Sequence, residues 1–153
     1  MAGEIHEECG VFGIYSQVPS DVAYTVYYGL YALQHRGQES CGIAVRTQDN
    51  IQIHKDIGLV NEVFTPACME SFGKGTMAVG HVRYGTTGDS GRTNAQPIFV
   101  RHRIGNMVTV HNGNLVNAAE LRRELELSGS IFHTTSDTEI ISYVITRERI
   151  RCG

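Results

Sequence analysis

Cys9, Arg83, the pair Asn112–Gly113 and Asp137 are the residues of this 153-residue chain whose types could act together on one small substrate. A thiol supplies a nucleophile, a guanidinium grips a carboxylate bidentately, a carboxylate holds an ammonium, and a side-chain amide beside a backbone N–H stabilises a developing oxyanion. Together they describe a site for the carboxamide of a free amino acid, glutamine or asparagine. Each residue also has a plainer reading. Cysteine is commonly a buried, inert core residue. Arg83 in HVRYGTTG could close a surface salt bridge. Asn-Gly is the strongest short hairpin signal, and an acid such as Asp137 in the first turn of a helix is explained by the macrodipole.

Cys9 stands between an acidic leader, MAGEIHEE, and the apolar run VFGIY rather than inside the run. A cysteine attacks as thiolate and needs a base, and no histidine lies in a signature arrangement with it. If the Glu8–Cys9 bond were cut, the α-amino group of Cys9, with a reference pKa of about 7.7–8.0, would be poised to accept the thiol proton. Nucleophile and base would then come from one residue.

The elements that must position these groups follow from periodicity. VFGIY reads as a strand, and SDVAYTVYYGLYALQHRG as a helix capped by Ser20, with Val22, Val26, Leu30 and Leu33 on one face and Gly37 as a left-handed stop. GIAVR and IQIHK, joined by the turn residues QDN, predict a hairpin, and LVNEVFTPACMESF a short helix. TMAVGHVRYG, PIFVRHRI and NMVTVHN read as strands. NAAELRRELELSG reads as an amphipathic helix between an Asn117 cap and a Gly129 terminator. A last helix opens on S-D-T-E, a capping box through Ser136 and Glu139, and runs through IISYVITRERI. Hairpin spacings too short for crossovers imply antiparallel or mixed sheets, so the fold class is α+β. The chain stops just after this helix, which is compatible with a partial domain.

Bulk properties narrow the function. A chain of this length makes about one domain and needs neither metal nor disulfide to fold. With 41% hydrophobic and 19% charged residues and a net charge of -3 it lacks the basic footprint of a nucleic-acid binder. No window approaches the roughly 18 apolar residues of a membrane span, and the leader is acidic where a signal peptide is basic, so a cytoplasmic location is expected. Cys9, Cys41, Cys68 and Cys152 form no C-x-x-C pair and the seven histidines never recur at H-x-x-x-H spacing, so scattered core or surface positions are expected rather than zinc.

The stretches ECGVFGIY, LQHRGQESCGIAV, GHVRYGTTG, NAQPI, HNGNLVN and TSDTEII extend over nearly the whole chain. In that order they resemble the class II glutamine amidotransferases. LQHRGQES and VRYGTTG are similar to the branch that passes ammonia to phosphoribosyl pyrophosphate, rather than to glucosamine-6-phosphate synthase or asparagine synthetase. The resemblance implies an amino-terminal-nucleophile (Ntn) hydrolase fold, a four-layer αββα sandwich with largely antiparallel sheets. It implies that residues 1–8 are a propeptide and residues 9–153 a glutamine amidotransferase domain, incomplete at its end. Cys9 would be the nucleophile, Asn112 and Gly113 the oxyanion hole, Arg83 the partner of the glutamine carboxylate and Asp137 of its ammonium. Arg36 would buttress the nucleophile and Thr86 line the pocket.

The activity implied is release of ammonia from L-glutamine to make 5-phosphoribosylamine, the first committed step of purine biosynthesis. Phosphoribosyl pyrophosphate, Mg2+ and, in members with a propeptide, a 4Fe–4S cluster would be bound by a further domain, so Cys41, Cys68 and Cys152 are not expected to be cluster ligands. Self-association into homo-oligomers is compatible with the resemblance and is not fixed by the residues. A sibling amidotransferase portion, or a glutamine-binding fragment without turnover, remain open alternatives.

Overall fold

A computed structural model describes residues 9–36, 39–84, 91–103 and 105–152. The elements run β1 (Gly10–Ser20), α1 (Val22–Leu33), β2 (Ser40–Arg46), β3 (Ile51–Ile57), α2 (Val60–Val63), α3 (Pro66–Ser71), β4 (Gly75–Arg83), β5 (Ile98–His102), β6 (Gly105–Thr109), α4 (Ala118–Leu127) and α5 (Asp137–Cys152). Single turns of 3-10 helix occupy Gln34–Arg36 and Arg92–Asn94. No described helix is long and apolar enough to cross a membrane.

Four strands make one antiparallel sheet in the order β1-β4-β2-β3, and β5 and β6 form a separate antiparallel hairpin. Alternation along the strands gives the large sheet two faces. Ile43, Val45, Ala78 and Val82 point to one side, where Val22, Val26 and Leu30 of α1 complete a core of almost fully buried side chains. Close approach depends on missing side chains: a Cβ at Gly80 would stand 2.5 Å from Val26 Cγ1, and one at Gly29 would stand 2.4 Å from the Phe12 ring. The other face meets the β5–β6 hairpin across an apolar cleft of about 230 Å³ between Ala44, Met77, Val79 and Met107, Val108. Helix α5 packs on the outer side of that hairpin, with α4 beside it. The layers are therefore helix, sheet, sheet, helix, in agreement with the α+β sandwich expected.

Several boundaries differ from expectation for local reasons. Strand β1 continues to Ser20, whose partner is Gly75, so Ser20 ends a strand instead of capping α1, and Asp21 takes the N-cap position without a side-chain bond. The helix expected over residues 59–72 is two. Phe64 and Thr65 interrupt it, and Pro66 opens α3 as its first residue with the Thr65 hydroxyl accepting from Cys68 N at 3.3 Å. Asn117 occupies the N-cap of α4 but makes no capping hydrogen bond. At the other end Gly129, with φ +97°, closes the helix by bonds from Ser130 N to Leu125 O and Gly129 N to Glu126 O, the Schellman pattern. The propeptide expected over residues 1–8 and the Gly37 stop lie outside the described residues.

Candidate functional site

The antiparallel register puts Gly10 opposite Val82, so Cys9, one residue before β1, stands beside Arg83 at the end of β4. Sequence neighbours do not build the rest of the site. The connection after β6 returns to this end of the sheet, where the Asn112 amide donates to the Cys9 carbonyl at 2.6 Å across 103 residues of sequence. The Asn112–Gly113 pair is thus no hairpin turn, since it lies in the irregular segment between β6 and α4.

These segments enclose a cavity of about 410 Å³ lined by Cys9, Arg83, His111, Gly113 and Asp137, together with Asn94, Gln96, Asn114, Thr135 and others. That volume lies within the range of small-molecule sites. Cys9 is half-buried and its thiol is free. Cys41, by contrast, is sealed under the core-side face, and burial, aided by Asp56 and Glu62, pushes its pKa up to about 12, so its thiol stays protonated and inert.

Arg83 is steered from both sides. Its Nε lies 3.8 Å from a Glu39 carboxylate oxygen and its Nη1 donates to Asn94 O at 3.3 Å. The ion-pair reading of Arg83 is met by Glu39, and Arg83 also borders the cavity. Asp137 opens α5, as the macrodipole favours, and its Oδ2 accepts from Leu115 N at 2.8 Å, tying the 111–115 segment to the helix. Its Oδ1 stands 3.7 Å from His111 Nδ1.

The expected capping box of α5 is half present. Ser136 Oγ accepts from Thr138 N at 3.2 Å, but Glu139 reaches past Ser136, and its buried carboxylate accepts from His133 N, Thr134 N and the Thr134 hydroxyl. The box becomes a clamp on the loop that carries Thr135 and Ser136 into the cavity wall.

Of the expected site residues, the structure thus gathers Cys9, Arg83, Asn112, Gly113 and Asp137. Arg36 ends the turn after α1, and Thr86 lies outside the described residues. The residue-by-residue reading passed over Asn94, Gln96 and Thr135. Asn94 is buried and bonds Thr135 twice, through Nδ2 to the hydroxyl at 2.7 Å and through Oδ1 from the backbone N–H at 3.0 Å. The signal was the NAQPI stretch, whose polar residues sit just before an apolar strand with no surface role to explain them. Among the described residues no three His, Cys, Asp or Glu side chains converge as metal ligands.

Comparison with known proteins bears on the family and the fold. A family model described as a glutamine amidotransferase domain matches residues 66–149. The chain is 48% identical over 143 residues to the amidophosphoribosyltransferase of Methanocaldococcus jannaschii, covering 94% of this chain and 30% of the relative. It is 50% identical over 139 residues to that of Synechococcus elongatus, covering 91% of this chain and 28% of the relative. Among solved structures, glutamine phosphoribosylpyrophosphate amidotransferase from B. subtilis, complexed with ADP and GMP, superposes with a TM-score of 0.80 at 45% identity, covering 90% of this chain and 29% of that one. A structure described as the allosteric regulatory enzyme of purine biosynthesis superposes with a TM-score of 0.82 at 46% identity, covering 90% and 29%. The chain spans about three tenths of the length of these curated relatives. From the matched residues, the identities and the shared sandwich it follows that this chain belongs to the glutamine amidotransferase domain family.

Proposed function

We propose that this chain is the glutamine-hydrolysing portion of an amidophosphoribosyltransferase, freeing ammonia from L-glutamine for transfer to phosphoribosyl pyrophosphate in purine biosynthesis. The observation that carries this reading is the meeting of a half-buried cysteine at a strand end with Arg83, Asp137 and the Asn112–Gly113 segment around one cavity. The similarity to amidophosphoribosyltransferases over more than nine tenths of the chain supports the choice of acceptor. Mg2+, an iron–sulfur cluster and the phosphoribosyl pyrophosphate site belong, in this reading, to a further domain.

Cleavage of the Glu8–Cys9 bond sheds residues 1–8 and leaves Cys9 with a free α-amine. Arg83 takes the glutamine α-carboxylate and Asp137 the α-ammonium, which directs the side-chain carboxamide toward the thiol. By the family resemblance, Arg36 would buttress the nucleophile and Thr86 would line the pocket. The Cys9 sulfur bonds to the amide carbon, and the thiol proton passes to the α-amine and from it to the departing nitrogen. The C–N bond breaks, ammonia leaves, and a thioester to Cys9 remains. Water then attacks the thioester, giving glutamate and restoring the thiol.

The oxyanion of each tetrahedral intermediate accepts from Gly113 N–H and the Asn112 amide. A primary amide has two N–H bonds, and the one donated to the Cys9 carbonyl orients the other. Losing such a donor costs about 3–4 kcal/mol of transition-state stabilisation.

Glutamate release and intact mass, measured together, test the reading. The active protein should lack residues 1–8, a diazo analogue of glutamine should label Cys9 once per chain, and Cys9→Ala should release no glutamate. Glutaminase turnover by Cys9→Ala, or full turnover by protein that retains residues 1–8, would overturn it.

A further inference from the structure

Gln96 is buried, 7% exposed, and its carboxamide bonds both backbone groups of a single residue, His111. His111 N donates to Gln96 Oε1 at 2.6 Å, and Gln96 Nε2 donates to His111 O at 3.1 Å. A primary carboxamide presents one acceptor and one donor side by side, the pair that a neighbouring strand would present. Gln96 therefore replaces a missing strand at one residue, just where the chain leaves β6 for the Asn112–Gly113 segment.

The backbone that carries Gln96 is itself held. Lys55 Nζ donates to the carbonyls on either side, Ala95 O and Pro97 O. The Gln96 carbonyl presses onto β2 so closely that a Cβ at Gly42 would stand 2.2 Å from it. Two residues earlier, Asn94 is bonded twice to Thr135 ahead of α5. The 94–97 segment is thus anchored to the large sheet and to the last helix. Through Gln96 it passes that anchoring to His111, the residue before the two oxyanion donors.

We propose that Gln96 is a positioning residue for the oxyanion hole: by satisfying both backbone groups of His111 it fixes where the Asn112 amide and the Gly113 N–H stand. This rests on the glutaminase reading above. Substrate is gripped elsewhere, by Arg83 and Asp137, so loosening this contact acts on the intermediate more than on bound glutamine.

The test is glutaminase kinetics on the full chain, with kcat expressed per Cys9 labelled by the diazo analogue so that misfolded protein drops out. Gln96→Leu removes both bonds and should lower kcat roughly 10- to 100-fold, as a small misplacement of catalytic groups does, with KM within about two-fold. Gln96→Glu keeps the shape and the acceptor but sets a carboxylate oxygen against His111 O. Its kcat relative to the parent should be low at pH 8 and climb as the pH is lowered and the carboxyl gains the proton it needs to donate, a recovery that a purely structural residue would not give. Unchanged kcat per labelled site in both variants, or a rise in KM at constant kcat, overturns the proposal while the parent chain remains a glutaminase. A parent chain that neither turns over nor takes the label overturns the glutaminase reading and this one with it.

Discussion

The two sides of the large sheet are built from different chemistry. Beneath α1 the core is apolar and close: Leu30, Val26, Ile43 and Val82 have essentially no exposed surface, and the helix rests on glycines. On the opposite side, at the end where Cys9 sits, the segments around the cavity are joined by directed polar contacts, from Gln96 to His111, Asn94 to Thr135, Asp137 to Leu115 and Asn112 to Cys9. Apolar burial is strong and tolerant of small shifts, whereas hydrogen bonds contribute about 0.5–1.5 kcal/mol each but hold atoms to defined positions. One side supplies stability and the other supplies geometry.

The division can be broken most forcefully from the apolar side. Leu30→Ala empties a fully buried position and should destabilise the chain by about 3–4 kcal/mol in urea unfolding, with kcat per labelled Cys9 unchanged in the molecules that remain folded. A change in kcat at constant stability would erase the distinction.

His81 lies at the seam and sharpens it. It is fully buried on β4 opposite Gly42, on the face that meets the 94–97 segment, and neither ring nitrogen has a well-formed hydrogen bond. Burial pushes its pKa from 6.5 down to about 4, against a weaker opposite pull from the His111 backbone and aided by the charge of Arg83. Because the unfolded chain protonates first, this histidine's stability contribution is complete above about pH 6.5 and is lost as the pH falls toward 4, by about 3 kcal/mol. Unfolding free energies at pH 7 and pH 4.5 should differ more for the parent than for His81→Leu. Equal differences would show that His81 does not carry the effect.

The smallest expected change comes from the surface of α4. Arg122 pairs with Glu126 one turn on at 3.0 Å, but it also donates to Thr134 O and lies over the Phe132 ring, 4.3 Å from its centroid. Glu126→Gln should cost no more than about 0.5 kcal/mol in the same unfolding assay, and a loss several times larger would place a polar contact among the main supports of the fold.

The same contrast explains what was legible in the sequence. Apolar periodicity located every long element, because burial beneath α1 writes itself into spacing: Val22, Val26 and Leu30 could be read directly. The tail of β1 could not, since SQVPS on an edge strand is largely exposed and carries no alternation, and Ser20 imitates a cap. The split between α2 and α3 was written in Thr65–Pro66 and was masked by the apolar residues around it. At the site, Cys9, Arg83, Asn112, Gly113 and Asp137 were recognisable as types, and the family resemblance placed them together. The supports were not recognisable, because a glutamine that bonds to a backbone 15 residues away leaves no periodic trace.

Strand β1 begins its ladder with the Gly10–Val82 pair, one residue after Cys9. In the proposed reading, a cut immediately ahead of Cys9 leaves every described rung of that ladder in place, from Gly10–Val82 onward. Maturation as proposed would thus add a charge at the rim of the cavity while the described ladder of β1 stays intact.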